Sequence, residues 1–224
     1  MVTVASPLTG RTVVVTAGGT REPIDPVRYL GNRSSGRMGN EIALAAAERG
    51  ADVVLITTVA AASHPRIRPV AVETAAQMHD AVHAALVGAA VLVMAAAVAD
   101  YRPAEAAPRK LKKRESLTLE LVPTVDILSS LAHDPVRQGV LMVGFAAETD
   151  DLRANAVRKL AEKHLDLIVL NDVSRADIGM SSEDNEVTVF DSAGVVTEIS
   201  RRAKAAVALA IMDVVAERLA QRLR

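Results

Sequence analysis

The 224-residue chain has no cysteine and no tryptophan, and aromatic residues make up only 2% of it. Without cysteine there is no disulfide, thiolate metal site, cysteine nucleophile or C-x-x-C redox couple. A chain this long buries enough surface to fold without such staples. The absence also suits a reducing compartment, so the expected location is the cytoplasm. The aromatics are Tyr29, Tyr101, Phe145 and Phe190, too few for a platform of stacked nucleic-acid bases. An excess of charge of either sign is lacking as well. With 26 basic residues against 27 acidic ones, no overall field draws in nucleic acid or an anionic membrane. The longest apolar run, residues 89–99, falls well short of the roughly 18 residues a membrane span needs. Residues 1–10 lack the basic-then-apolar order of a signal peptide. Neither a nucleic acid nor a membrane is an expected partner.

What is present reads as a folded globular chain, 50% hydrophobic and 24% charged. Val13, Val14 and Val15 run into Thr16-Ala17-Gly18-Gly19, the pattern of a short buried strand. Ser34-Ser35-Gly36 precedes a helical stretch carrying Met38, Ile42, Ala45 and Ala46, and Gly50 closes it. Residues 53–57 and 68–72 read as strands, and Ala75, Met78, Val82 and Leu86 mark a helix. Strands follow at 91–95, 140–145 and 167–170, with a helix through Leu152, Ala156 and Leu160 between the last two. Residues 187–199 read as a hairpin, and Ala208, Ile211, Val215 and Leu219 line a final helix. This alternation implies a doubly wound α/β fold, with a mostly parallel, Rossmann-like sheet covered on both faces. One domain over residues 1–224 is expected. Residues 102–122 break the pattern. They contain proline, are heavily basic and end in alternating Leu117, Leu119 and Leu121. They read as an excursion, a loop and strand able to cover a site or pair with a second subunit.

Sheets of this kind bind ligands beyond the carboxyl ends of their strands. After the first strand, Gly18 and Gly19 could bring backbone N–H groups to a phosphate, or each could simply make a turn. The glycines do not form G-x-G-x-x-G. The second strand ends in Thr57-Thr58, with no acidic residue for a ribose. Both facts argue against a nicotinamide-dependent reductase. At the first helix, Asn32-Arg33-Ser34-Ser35-Gly36-Arg37-Met38-Gly39 could be capped by Ser34 or Ser35. A phosphate site is the better reading, because Arg33 and Arg37 stand four apart with no anion between them. Arg109-Lys110-Leu111-Lys112-Lys113-Arg114 could be a solvated face; a basic flap closing on a polyphosphate fits better. Lys159 and Lys163, also four apart, repel unless an anion lies between them; from spacing alone, two exposed lysines is the better reading. Asp100 could bind a cation or a ribose, or cap a turn. His79 and His83 lack a third metal ligand.

In order along the chain, several segments resemble phosphopantothenoylcysteine synthetase. They are Thr16-Ala17-Gly18-Gly19-Thr20-Arg21-Glu22-Pro23-Ile24-Asp25-Pro26-Val27-Arg28-Tyr29, Asn32-Arg33-Ser34-Ser35-Gly36 and Ala96-Ala97-Val98-Ala99-Asp100-Tyr101. Lys110-Leu111-Lys112-Lys113, Gly144-Phe145-Ala146-Ala147-Glu148-Thr149 and Asn171-Asp172-Val173 continue the match over nearly the whole chain. In bacteria such a domain is usually the C-terminal half of a coenzyme A biosynthesis protein. The other half, a flavin-dependent decarboxylase, is absent from this sequence. The resemblance implies an acid–amino-acid ligase. CTP with Mg²⁺ activates the carboxylate of 4′-phosphopantothenate as an acyl-cytidylate, releasing pyrophosphate. The amine of L-cysteine then attacks, giving the amide and CMP.

The resemblance also implies a homodimer and a set of roles. Asn32 contacts the acyl carbonyl and is catalytic, Arg28 assists there, and Lys110 is a mobile catalytic lysine that reaches the nucleotide across the dimer interface. Gly18, Gly19, Ser34, Ser35 and Gly36 are expected around the CTP phosphates. Asp100, Val125, Asp126, Ile127, Leu128, Phe145, Lys159 and Lys163 match nucleotide-binding positions. Backbone groups near Ala96, Ala97 and Phe145 would read the base. Asp100 is the expected Mg²⁺ contact, the ion being held mainly by the nucleotide. The sequence departs from the family pattern at three places. Arg37 stands where Lys is usual, Gly31 adds backbone freedom beside Asn32, and Val122-Pro123-Thr124-Val125 replaces Asn-Pro-Asp-Ile. The alternatives are a reductase on the same fold or a non-catalytic nucleotide sensor. Against the reductase, Tyr29 is followed four residues later by Arg33 and Tyr101 by Glu105, so no Tyr-x-x-x-Lys pair exists.

Overall fold

The computed structural model describes residues 5–148, 152–172 and 182–223. Met1 to Val4, and Thr149 and Val173 of the matched segments, lie outside the described residues. The chain opens with β1 (Thr12–Ala17), then a small hairpin of β2 (Arg21–Pro23) and β3 (Tyr29–Gly31), then α1 (Arg37–Glu48). Next come β4 (Asp52–Thr57), β5 (Ile67–Ala71), α2 (Ala75–Leu86) and β6 (Val91–Met94). A second small pair, β7 (Tyr101–Pro103) and β8 (Leu121–Pro123), brackets the basic segment. Then follow α3 (Ile127–Leu131), β9 (Leu141–Glu148), α4 (Leu152–Glu162) and β10 (Leu167–Asp172). The hairpin β11 (Asp184–Asp191) and β12 (Gly194–Ala203) leads into α5 (Lys204–Arg222).

Among the described residues the main sheet runs β12-β11-β10-β9-β6-β1-β4-β5. The strands from β10 to β5 are parallel, and β11 and β12 are antiparallel. The continuous apolar strands follow from burial on both faces. Val13, Val15 and Ala17 pack with Ile42 of α1 and Val207, Ile211 and Val215 of α5. The intervening Val14 packs with Met78, Val82 and Leu86 of α2. On that same face Ala156 and Leu160 of α4 pack with Ile168 and Leu170 of β10. The side-chain period of two thus divides each strand between two helical layers.

From β1 the chain builds outward through β4 and β5, then crosses to β6 and builds the other way. The order therefore reverses between β1 and β6. There Gly19 and Ala97 pair beyond the strand ends, with Thr20 N–H on Ala97 O at 3.2 Å and Ala97 N–H on Gly18 O at 2.8 Å. Such a switch point is where open α/β sheets leave a crevice.

The small hairpin is fastened to this crevice by buried polar side chains. Thr20 Oγ1 accepts from Ala99 N–H at 2.9 Å, and Glu22 accepts from Ala75 N–H at the start of α2 at 2.8 Å. Gly31 owes its identity to a close approach rather than to freedom beside Asn32, since a Cβ there would sit 2.5 Å from Thr20 O. In the excursion only Leu121 of the leucine series joins a strand. Leu117 and Leu119 lie in the loop, exposed, because β7 is only three residues long and leaves nothing for them to pair with.

Gly39 sets the seat of α1 on β1. A Cβ there would lie 2.6 Å from Ala17 Cβ and 2.7 Å from Thr16 O. Gly39→Ala gains about 1 kcal/mol of helix propensity. Overpacking against backbone that cannot give costs about 3 kcal/mol, the upper end of such changes. The expected net loss is about 2 kcal/mol, or a melting temperature lower by roughly 4–8 °C. Thermal and urea unfolding check it; an unchanged midpoint would mean that α1 shifts freely on the sheet.

Candidate functional site

A cavity of about 470 Å³ opens beyond the carboxyl ends of the central strands. One wall is the segment entering α1, with Asn32, Ser34, Ser35, Gly36 and Arg37. Residues 94–99 and Phe145 form the next wall, and Asp126, Lys159 and Lys163 stand across from α1. Lys204 and Asn171 also line it.

The α1 wall presents groups that an anion could use. The N-cap is Gly36, whose φ of 73° lies in the left-handed region and whose position carries no capping side chain. The serine cap is therefore not formed: Ser34 Oγ accepts from Gly36 N–H at 3.4 Å, one turn too early to cap the helix. The first-turn N–H groups and the positive end of the helix dipole face the cavity. Because α1 begins at Arg37, Arg33 precedes the helix and the two arginines are not neighbours on one face. Arg37 instead lies 3.6 Å from the exposed Glu183.

Lys204 is only 7% exposed. Burial, and then repulsion from Arg37, holds its ammonium below the usual lysine range. It is also the first residue of α5, where a helix dipole disfavours a cation. An anionic ligand in the cavity would stabilise this cation further. Across the cavity, Lys163 pairs with Asp126 at 2.9 Å. Lys159 of α4 and Lys163, in the turn just after it, are therefore not an isolated like-charge pair. Burial raises the Asp126 carboxyl, but bonds from Ser129 and Lys163 outweigh it and leave it below the usual range. Asn171 Oδ1 is buried with no hydrogen-bond partner among the described residues, an acceptor that a ligand could satisfy. Asn32 is tethered to the β6 wall, its Nδ2 donating to Val98 O at 3.1 Å and Ala97 O at 3.4 Å.

Residues 8–219 match the model of the DNA/pantothenate metabolism flavoprotein C-terminal domain. The chain belongs to that family. It is 41% identical over 215 residues to the coenzyme A biosynthesis bifunctional protein CoaBC of Bacillus subtilis (strain 168), covering 95% of this chain and 52% of that protein. The chain thus spans about half the length of the curated relatives it matches. A solved structure of the C-terminal domain of coenzyme A biosynthesis bifunctional protein CoaBC superposes with a TM-score of 0.80 at 36% identity. That match covers 96% of this chain and 99% of the other. A Cab2 mutant in complex with phosphopantothenate-cysteine shares the fold, with a TM-score of 0.74 at 15% identity over 95% of this chain and 88% of that one.

Most of the family-type positions meet at the cavity: Asn32, Ser34, Ser35, Gly36, Ala96, Ala97, Asp100, Val125, Asp126, Ile127, Leu128, Phe145, Lys159 and Lys163 all line it. Gly18 and Gly19 do not. They lie behind the wall, where Gly19 O accepts from Thr58 Oγ1 at 2.8 Å. Arg28 and Lys110 are also outside the lining; Arg28 instead bonds Asp25 and the carbonyl of Leu111. The roles of Lys204 and Asp25 are not read from the sequence. Lys204 left one signal there, a cation opening an apolar helix that has no Ser, Thr, Asp or Asn before it.

Four carboxyls, those of Asp25, Asp126, Asp134 and Asp191, are held below the usual range. The chief lowering contacts are Arg28 for Asp25, Ser129 N–H for Asp126, Val136 N–H for Asp134 and Arg218 for Asp191. As pH falls, the unfolded chain takes up these protons first. Their stabilisation is therefore complete above about pH 4 and drains away below it, through the lowered folded values. The melting temperature is expected to stay level from pH 7 to 5 and drop below pH 4. A fall confined to higher pH would point to other groups.

Proposed function

We propose that the chain is the ligase of its family, joining 4′-phosphopantothenate to L-cysteine through an acyl-cytidylate made from CTP. The supporting observation is one cavity that places Asn32 beside a helix N-terminus and beside Arg37, Lys159, Lys163 and Lys204. A carboxylate resists attack until its oxygen becomes a leaving group. Bringing it to a triphosphate joins two anions, and fixed cations lower that repulsion. In this reading the phosphates lie at the start of α1 between Arg37 and Lys204, and the acyl group lies at Asn32. The wall at residues 96–97 has its N–H groups engaged, Ala96 with Thr16 Oγ1 at 3.1 Å and Ala97 with Gly18 O at 2.8 Å. Ala97 O already accepts from Thr20 N–H and Asn32 Nδ2, so a base there would be read by the Ala96 carbonyl oxygen, which can accept from an exocyclic amine.

Mg²⁺ is bound by one or two carboxylates together with phosphate oxygens, and Asp100 in the cavity wall is the side chain that fits this role. When bound, the ion would neutralise phosphate charge. The proposed assembly is a homodimer. Arg28 and Lys110 lie outside their own chain's cavity, while Val27, Tyr29, Tyr101, Leu117 and Leu121 are exposed on the small sheets and their loops. β2 and β7 pack together, which brings those two sheets side by side. A flavin-dependent decarboxylase, as the other half of a bifunctional protein, is the proposed companion. Among the described residues no helix is long and apolar enough to cross a membrane, and a cytoplasmic location is proposed. The test is incubation with phosphopantothenate, L-cysteine, Mg²⁺ and either CTP or ATP, reading pyrophosphate and the amide. Both products, with CTP preferred, are expected. No pyrophosphate with either nucleotide would overturn the reading, and oxidation of a reduced nicotinamide would favour the reductase.

A further inference from the structure

One carboxylate gathers most of the bonds at the root of the basic flap. Asp25 sits in the turn between β2 and β3, only 4% exposed, and its two oxygens serve different neighbours. Oδ1 accepts from the N–H groups of Val27 and Arg28, each at 2.9 Å, closing the local turn. Oδ2 accepts from Arg28 Nε at 3.0 Å, from Arg28 Nη2, and from the N–H of Leu111 at 3.1 Å. The same Nη2 donates to Leu111 O at 2.9 Å. Both backbone groups of the residue that follows Lys110 are therefore clasped by the Asp25–Arg28 pair. A second tie lies just upstream, Ala107 N–H on Ile24 O at 2.9 Å.

The local turn alone does not explain an aspartate. Asparagine closes such turns equally well through one oxygen. Only a carboxylate offers a second acceptor for the guanidinium and for Leu111. We infer that Asp25 is the positioning residue of the basic flap: through Oδ2 it locks Arg28 to the backbone of Leu111 and so sets where Lys110 begins its reach. The latch itself stands on geometry; its effect on turnover rests on the ligase reading of Lys110.

Asp25→Asn keeps an oxygen for the turn and replaces the second acceptor with an amide. The folded variant should show about threefold or greater acceleration of tryptic cleavage within residues 109–114, with other sites unchanged. Its kcat should fall about tenfold while KM for L-cysteine stays within about twofold. Combined with Lys110→Gln it should add no further loss, because the two residues act as one unit. Wild-type cleavage and turnover in Asp25→Asn would overturn the inference. So would losses that multiply in the double variant. Should Asp25→Asn fail to fold, Leu111→Pro removes the same bond from the flap side. Faster cleavage after Lys113 and Arg114 supports the latch, and unchanged cleavage overturns it. If the wild-type chain forms no pyrophosphate the ligase reading fails, while the proteolysis still decides the latch.

Discussion

Asn32→Ala is expected to slow amide formation by roughly a hundredfold to a thousandfold, the usual cost of removing one donor at a developing oxyanion; in this reading Nδ2 gives up its longer bond, to Ala97 O at 3.4 Å, to make that contact. Nucleotide binding should stay near wild type, because the cations that would hold the phosphates stand elsewhere on the cavity wall. The geometry also ranks the two natural tests. Asn32 Nδ2 lies 3.1 Å from Val98 O and 3.4 Å from Ala97 O. Asn32→Asp turns that donor into an oxygen facing two carbonyl oxygens, and it adds charge beside the anionic intermediate of the proposed reaction. Its loss should therefore equal or exceed that of Asn32→Ala, although Asp is the closer match in size. Single-turnover reactions with bound CTP separate pyrophosphate release from amide formation, and calorimetry reports CTP affinity. Turnover equal to wild type in either variant would remove Asn32 from the chemistry.

The segment around Asn32 shows what local pattern reveals and what it hides. The sheet was legible because strands covered on both faces become uninterrupted apolar runs, such as Val13, Val14 and Val15. The crevice followed from the alternation of strands and helices. The polar run from Thr20 to Asp25 was less transparent. Three of its side chains bond distant backbone segments: Thr20 to Ala99, Glu22 to Ala75 and Asp25 to Leu111. Such partners lie far along the chain, and periodicity carries no trace of them. Gly31 misled for the same reason, since its neighbour Thr20 O belongs to the facing strand region. Lys204 was hidden by context. Its burial beside Arg37 depends on α5 returning to α1 across the sheet, a contact set by the whole topology.

The position of Lys110 leads to the second large effect, a gain rather than a loss. Asn32 lines the cavity, whereas Lys110 is rooted beside Asp25, outside that lining. If the flap serves a partner's cavity, each active centre draws Asn32 from one chain and Lys110 from the other. Asn32→Ala and Lys110→Gln homodimers would each be nearly inert. In a one-to-one mixture that exchanges subunits, about half of the dimers are mixed, and each carries one site with both residues intact. Turnover should recover to about a quarter of wild type, a rise of ten-fold or more over either variant alone. A flap acting on its own chain gives no such recovery, because every subunit then carries one defect. Absence of recovery, with subunit exchange verified by differently tagged chains, would place Lys110 in the cavity of its own chain. The apolar series Leu117, Leu119 and Leu121 would then require a different explanation, since three exposed leucines, two in the loop and one opening β8, are stabilised chiefly by a partner surface.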